Sequence, residues 1–346
     1  MLNIARQPLR PVAIRSCRSR SSLSIRNYLP MPAAAAGSTL AVATQYLKAW
    51  RAPGPDLESK LKEVVAPDGM LFKADGIVHL EDRLKTIPEL AAHIRDRHAA
   101  YKHLSHQPFA MAASEAGDTA FLGVCYSLQH TGQVAGQEAT GRISSGVLLE
   151  QLGFDKDGLI NCAFVCRQLT AEEVEGLTHH PGQVRVPELE GGMLDAPQEQ
   201  LTGVELDAMR RSVERWVHCW DSDADLAVID QVLDPAAVQV AAYGLGKHRV
   251  PFQGLEGARQ EVQRALGSLQ NTNTVVAMAM CSDRRAGFVH WRANSLHTDS
   301  HVPEVSQGMD FLRFNKHGQI SLIFSFTMRP YKNVVKDSAP RADGVD

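Results

Sequence analysis

The sequence predicts an α+β fold in two domains, each a curved antiparallel sheet wrapped around about three helices. A strand–turn–strand pattern occurs twice, and the turn Phe-Asp-Lys-Asp-Gly-Leu-Ile at 154–160 matches Phe-Asn-Lys-His-Gly-Gln-Ile at 314–320. Apolar residues at helical spacing precede each copy, and a segment rich in Gly and Pro separates the two. Repetition over 160 positions indicates that a whole domain is duplicated.

Length and charge agree with this organisation. The 346 residues suffice for two domains of about 100–150 residues each. Residues 1–55 hold eight Lys or Arg and no acid, which leaves 28 basic against 39 acidic residues in the rest of the chain. This acidic remainder argues against nucleic acid as a partner. Apolar runs stay well short of the roughly 20 residues that cross a bilayer, so no membrane span is expected.

Residues 1–37 have the composition of an organellar transit peptide, because they are rich in Arg and Ser, lack acids and lack a 7–15-residue apolar core. Pro8 and Pro11 interrupt an amphipathic helix, so mitochondrial targeting is only slightly favoured over plastid targeting. A basic arm that stays on the protein is the alternative. The cysteines form no CxxC pair and are expected to be reduced, buried thiols.

The first domain is expected at 38–170. Apolar spacing predicts helices around 40–50 and 57–65, and the capping-box pattern Thr86-Ile-Pro-Glu89 predicts a third helix through about His103. Four strands should follow, at about 107–114, 119–130, 143–154 and 159–169. Residues 171–203 are expected to be a linker that packs partly against a domain.

The second domain, expected at 204–333, repeats this order. Apolar residues at helical spacing predict two helices that end before Asp234-Pro235, and a third helix is expected near 255–269. Strands should follow at 274–281, 287–296, 304–315 and 319–329. A disordered polar tail is expected at 334–346.

The chain resembles the nuclear transport factor 2-like superfamily, most closely its SnoaL-like, polyketide cyclase-like branch. Three features carry the resemblance: the order of elements, the repeated turn, and a Trp that precedes an Asp-Leu pair in each half, Trp50 before Asp56 and Trp220 before Asp225. The resemblance covers about 38–170 and 204–333. It implies two cone-shaped domains, each with a pocket between the concave sheet face and the helices. Members include isomerases, dehydratases, cyclases, ligand binders and dimerisation modules, so the resemblance specifies the fold rather than the activity.

Strand alternation places a carboxylate on the concave face of each domain, four residues before the turn phenylalanine: Glu150 and Asp310. Burying a carboxylate costs several kcal/mol unless it is paired or neutral. In the ketosteroid isomerases of this superfamily, a protonated aspartic acid at this position donates to the developing enolate oxygen. An edge-exposed carboxylate in a register shifted by one residue is the alternative.

The resemblance also suggests the rest of an acid–base site. Tyr46 falls at the position of the isomerase tyrosine, and the base position falls near Lys73, with Asp75 two residues on. The candidate catalytic residues are therefore Tyr46, Asp75 and Glu150. In the second domain, Trp216 replaces the tyrosine and Val240 falls at the base position, so that domain keeps only Asp310.

By the same alternation, strand side chains should line both pockets; the candidates are Leu122, Val124 and Tyr126 in the first domain and Val289, Trp291 and Ala293 in the second. Trp216, at the helix position of the tyrosine, and Asp310 complete the candidates of the second pocket. Core filling is the alternative for the apolar and aromatic side chains. No glycine loop that would hold a phosphate is present, and no cofactor is expected. His297 and His301 lie in a loop between strands, which is weak support for a metal site, and none is expected.

Two functions follow as hypotheses. The first is binding of a small apolar ligand in the pockets, with cofactor-free isomerase, cyclase or dehydratase chemistry in the first domain. The alternative is a non-catalytic protein–protein interaction or dimerisation module in an organelle. Outward-facing Phe288 and Phe311 predict that the convex sheet faces pack together, as an intramolecular pseudo-dimer or a homodimer.

Overall fold

A computed structural model describes residues 34–74, 86–134, 136–178, 198–242 and 248–328. Most of the expected transit peptide and the whole expected tail lie outside these ranges. None of the helices in the described ranges combines the length and the apolar character needed to span a bilayer.

The first half contains three helices and a four-strand meander, preceded by one short strand. The elements are α1 (Ala34–Arg51), α2 (Leu57–Lys62), β1 (Leu71–Ala74), α3 (Ile87–Ala100), β2 (Tyr101–Ala113), β3 (Thr119–His130), β4 (Ile143–Phe154) and β5 (Ile160–Arg167). A further helix, α4 (Ala171–Thr178), follows the meander.

The second half repeats this order. Its elements are α5 (Gly203–His218), a 3₁₀ turn (Leu226–Val228), α6 (Ile229–Val232), β6 (Leu233–Ala242), β7 (His248–Gln253), α7 (Gly254–Ser268), β8 (Leu269–Met280), β9 (Ala286–His297), β10 (Pro303–Phe314) and β11 (Ile320–Met328).

Each half forms its own sheet, in the order β1-β5-β4-β3-β2 and β7-β6-β11-β10-β9-β8. The four meander strands are antiparallel, as the sequence predicts. One parallel pair joins each meander to the strand before it, β1 to β5 and β6 to β11. Among the described strands, the two sheets therefore share a meander with one parallel neighbour, and the second sheet adds β7 beyond β6. Their mixed helix and antiparallel content confirms the predicted α+β class.

The repeated turn is built in the same way in both halves. Asp155 Oδ1 accepts hydrogen bonds from the backbone N–H groups of Asp157 and Leu159, at 2.9 and 3.0 Å. Asn315 Oδ1 does the same two and four residues on, at 2.9 and 3.0 Å. Gly158 has a φ of 77°, in the left-handed region that glycine adopts without strain. The shared Asx-x-x-Gly pattern thus encodes a shared backbone turn.

The two sheets pack against each other through their outer faces. Phe121 of β3 stacks on Phe288 of β9 with ring centroids 5.6 Å apart, and Phe109 of β2 meets the edge of Phe311 of β10 at 5.0 Å. Phe288 and Phe311 are fully buried in this cluster. The predicted packing of the convex faces is confirmed, and it takes the form of a pseudo-dimer within one chain.

Two predicted boundaries are wrong. Helix α3 ends at Ala100, and the next three residues begin β2 instead of continuing the helix through His103. Helix α4 occupies the first eight residues of the expected linker. Helix α4 begins there because Thr170 and Glu173 form a second capping pattern, in which the Thr170 backbone N–H donates to the Glu173 carboxylate at 2.9 Å. The Arg167 guanidinium binds the same carboxylate at 2.7 Å.

Candidate functional site

Tyr46 of α1 and Glu150 of β4 meet on the inner side of the first sheet. The Tyr46 hydroxyl donates to Glu150 Oε1 at 3.3 Å, and both side chains are buried. Burial raises the pKa of Glu150 to about 8, and the hydrogen bond from Tyr46 offsets this in part. Burial, followed by the charge of Glu150, raises the pKa of Tyr46 well above its ordinary value. At neutral pH the glutamic acid is therefore mostly protonated.

The neighbours of this pair are apolar and closely packed. Leu122 lies directly opposite Glu150 in the sheet register, and Leu122 and Val124 are fully buried in one cluster with Tyr46. Tyr126 occupies a separate cluster nearer the end of β3, where its hydroxyl donates to the Gln168 carbonyl.

The structure therefore brings together four of the five described candidates of the first domain. Asp75, the candidate base, lies outside the described residues.

The second half contains a partly open cavity of about 240 Å³ between α5, α7 and the inner face of its sheet. Three tryptophans, Trp216, Trp220 and Trp291, contribute to its walls. This volume lies just below the range of roughly 300–1,000 Å³ that is typical of ligand sites, so it suits a molecule of one or two rings. Trp216 and Trp291 line the cavity and leave it open, whereas Val289 packs in the adjacent core and is not among the lining residues.

Asp310 of β10 also lines this cavity. It is buried, and Trp291 Nε1 donates to its Oδ1 at 3.1 Å. Burial raises the pKa of Asp310 to about 7, while hydrogen bonds from Trp291 and Ser325 lower it in part. Asp310 thus changes its protonation state near neutral pH inside a cavity, which is the property expected of a functional carboxylate.

A polar row extends from Asp310 across the neighbouring strands. Ser325 of β11 lies opposite Asp310 in the sheet register. Gln239 of β6 donates through Nε2 to Ser325 Oγ at 3.1 Å. On the other side of the cavity, Asn273 Nδ2 of β8 donates to Asp221 Oδ1 at 3.0 Å, and the asparagine and glutamine side chains both line the cavity.

Sequence reasoning missed this row. Ser325 interrupts the apolar run Ile-Phe-Ser-Phe, and β8 carries the polar stretch Gln-Asn-Thr-Asn-Thr, so a signal was present. Pairing these positions with Asp310 required the strand register, which one sequence does not provide.

The loop histidines take no part in this site. His297 Nε2 lies 3.0 Å from Glu304 Oε2, at a partly exposed position. Within the described ranges, no group of three or more His, Cys, Asp or Glu side chains is arranged to hold a metal ion.

Comparison with known proteins supports the fold of the second half. Residues 213–323 match the family model of the SnoaL-like domain. The first half has the same four-strand meander, with a parallel strand at the same edge of its sheet. A search of curated proteins found no match to the chain.

Several solved structures are similar to part of the chain. TsrD from Streptomyces laurentii is 19% identical, covering 42% of this chain and 96% of its own, with a TM-score of 0.32. An LEH-like epoxide hydrolase from M. tuberculosis is 12% identical, covering 36% and 84%, with a TM-score of 0.29. An NTF2-like protein from Exiguobacterium sp. 255-15 is 15% identical, covering 34% and 97%, with a TM-score of 0.28.

Proposed function

We propose that the second domain binds a small, mainly apolar molecule whose polar end reaches Asp310. The observation that carries this proposal is the cavity of about 240 Å³ in which three tryptophans and a buried aspartic acid converge. Aromatic and polar side chains contribute to the lining in similar measure, and such polar groups fix the orientation of a ligand in a small-molecule site. Trp216 and Trp220 stand edge to face with centroids 5.5 Å apart, which gives the cavity a rigid aromatic corner.

Asp310 also supports cofactor-free acid–base chemistry of the isomerase, cyclase or dehydratase type. A general acid or base is most effective when its pKa lies near the working pH, and burial raises the pKa of Asp310 to about 7. Trp291 Nε1 donates to one carboxyl oxygen at 3.1 Å and Ser325 also hydrogen-bonds the carboxyl, so both hold this group at the wall of the cavity, where a bound molecule would exchange its proton.

Native mass spectrometry of the full chain tests the binding proposal. We expect a retained small molecule in the wild-type protein and its loss in Ala293→Phe, because Ala293 lines the cavity and the added ring fills it. Glu150→Gln is the matched control, since it alters the carboxyl of the first domain and should leave the retained molecule in place. If Ala293→Phe keeps the wild-type ligand and affinity, the cavity is not the binding site.

A second candidate function assigns acid–base chemistry to the first domain, and the hydrogen bond between Tyr46 and Glu150 favours it. A protonated carboxyl and a phenol together can donate two hydrogen bonds to a ligand carbonyl, an arrangement that stabilises an enolate. Asp75 lies two residues after Lys73, where the resemblance places the general base, and is therefore the candidate base of this domain. Turnover that falls in both Glu150→Gln and Asp75→Ala but survives Asp310→Asn supports this candidate, and the opposite pattern assigns the chemistry to the second domain.

A further inference from the structure

Asp310 is a buried acid that is not balanced by a basic side chain. In the part of the chain that the structure describes, burial and hydrogen bonds from Trp291 and Ser325 shift its pKa, and no basic group contributes. Both hydrogen bonds favour the charged carboxylate, yet burial outweighs them and raises the pKa to about 7. A buried carboxylate without a counter-charge is costly, and either a proton or a bound cation can compensate for it.

The other charged side chains that line the cavity, Glu261 and Arg264, compensate each other. They lie one turn apart on α7, and both carboxylate oxygens of Glu261 accept hydrogen bonds from the guanidinium, at 2.7 and 2.9 Å. The Arg264 side chain is 60% exposed, so this cation lies on the solvent side of the pair. With two acids and one base, the lining is negative whenever Asp310 is ionised, which favours a cation over an anion.

Indole rings border the same space. Trp216 on α5 and Trp220 just after this helix both line the cavity, and their ring planes stand at 84° to each other, as two walls of a corner. Trp291 lines the cavity from β9. Indole attracts cations more strongly than the other aromatic side chains do, and aromatic rings around a shared space can hold an organic ammonium group.

Trp291 lies beside the carboxyl because its partner on the next strand is a glycine. Gly308 of β10 is opposite Trp291 in the sheet register. A Cβ atom at Gly308 would lie 2.5 Å from Trp291 Cζ2 and 2.8 Å from Cε2, so the indole occupies the space of that missing side chain. From there Nε1, which is bonded to Cε2, reaches Asp310 Oδ1 at 3.1 Å. An aromatic ring and the acid are thus adjacent at the cavity.

We propose that the cavity selects a small organic cation, an amine whose ammonium group pairs with Asp310 and whose ring lies among the tryptophans. This inference rests on the proposed function and identifies the polar end of its ligand. A neutral molecule of the same shape leaves the carboxylate uncompensated, and an anion adds a further negative charge. Ser306 and Thr327 also line the cavity, and their hydroxyl oxygens offer acceptors to an ammonium group that carries three donors.

Calorimetric titration of the full chain at about pH 8 with three matched probes tests the proposal. Phenethylamine, phenethyl alcohol and phenylacetate differ at the end of one short chain, and at this pH they are a cation, a neutral molecule and an anion. We expect the amine to bind at least about tenfold more tightly than the alcohol, because charge-assisted hydrogen bonds are about twice as strong as neutral ones, and phenylacetate to bind most weakly.

The outcomes separate the inference from the proposed function. Binding of the alcohol or of phenylacetate that equals or exceeds that of the amine overturns the inference and leaves the proposed function standing. If none of the probes binds, the inference is overturned, while the proposed function is still decided by native mass spectrometry of Ala293→Phe.

Proton release shows which acid pairs with the amine. At about pH 6 Asp310 is mostly protonated, and an ammonium group that pairs with its carboxylate expels the proton. Titration in two buffers of different ionisation enthalpy should therefore show release of most of one proton per amine at about pH 6 and little at about pH 8. The alcohol should release none. Absence of release with the amine at about pH 6 contradicts pairing with Asp310.

A substitution locates the preference. Asp310→Asn should bring the affinity for the amine to within about twofold of that for the alcohol and should abolish proton release. Asp223→Asn is the matched control, because Asp223 is an exposed acid of the same half and is not a lining residue. A preference for the amine that survives in Asp310→Asn contradicts the assignment. The wild-type titrations decide the inference even if the variant does not fold.

Discussion

The rings of Phe121 and Phe288 lie 5.6 Å apart and only 7° from parallel, although the residues belong to different halves of the chain. Each ring projects from the outer face of its own sheet, and both are fully buried. The hydrophobic surface that a single domain of this kind would expose is therefore covered by the second copy. Duplication supplies the partner that a lone sheet would find in another molecule.

We expect Phe121→Ala and Phe288→Ala to destabilise the protein by about 3–5 kcal/mol each, because each removes a buried ring from the intersheet core. The double variant should lose less than the sum, with a coupling of about 0.5–1.5 kcal/mol for the stacked pair. Urea unfolding of the four proteins measures this. Phe121→Ala combined with Phe314→Ala is the control and should be additive, because Phe314 lies in the inner cluster of the second half. Additivity in the Phe121–Phe288 cycle would contradict the coupling.

We expect Glu150→Leu to raise the free energy of unfolding by about 1 kcal/mol and to abolish any ligand binding in the first domain. The carboxyl is buried among apolar side chains, so an apolar residue of similar size removes a desolvation cost. Glu150→Gln should keep the fold and serves as the isosteric control. Denaturant titration gives both values. A loss of several kcal/mol in Glu150→Leu would instead identify the carboxylate as a structural ion-pair partner.

The stability difference between wild type and Glu150→Gln should depend on pH. The pKa of Glu150 is raised from 4.5 to about 8 in the folded protein, so the native state keeps a proton that the unfolded chain has lost between these values. The stability that the protonated Glu150 carboxyl contributes to the folded protein is therefore fully present below pH 4.5. It is lost as the pH rises to about 8, at no more than about 1.4 kcal/mol per pH unit. The free energy of unfolding of Glu150→Gln should therefore increase relative to that of the wild type as the pH rises through this window. Parallel stability curves for the two proteins from pH 5 to pH 8 would show that the carboxyl titrates normally.

We propose that the expected transit peptide, residues 1–37, directs the chain to an organelle. Because α1 begins at Ala34, we expect removal of the part before it, residues 1–33, to leave the melting temperature unchanged while abolishing import. The described structure begins with α1 at Ala34, so the deletion spares every helix and strand reported above. Thermal unfolding of the truncated protein and import into isolated mitochondria and plastids measure the two effects. A reporter fused to residues 1–33 alone should be imported. A truncated chain that still enters either organelle, or that melts markedly lower, contradicts the proposal.

Local patterns in the sequence predicted much of the fold. The meander strands lie within a few residues of their expected positions, because alternation along a strand and Asx-Gly turns are local signals. The boundary at His103 failed because pairing of Tyr101 with His130 in the first sheet overrides the helical tendency of that segment. The short helix α4 was not predicted, although Thr170 and Glu173 form the same kind of local capping pattern as Thr86 and Glu89, which predicts helix α3.

The sequence by itself determined the duplicated fold, the inner position of Glu150 and Asp310, and the outward position of Phe288 and Phe311. All of these follow from periodicity, which each strand carries independently of its neighbours. Only the tertiary structure decided that Tyr46 and Glu150 meet in a buried hydrogen bond in the first domain and that a cavity lies beside Asp310 in the second. Open space depends on how side chains from separate helices and strands fill a shared volume, and that packing has no local signature.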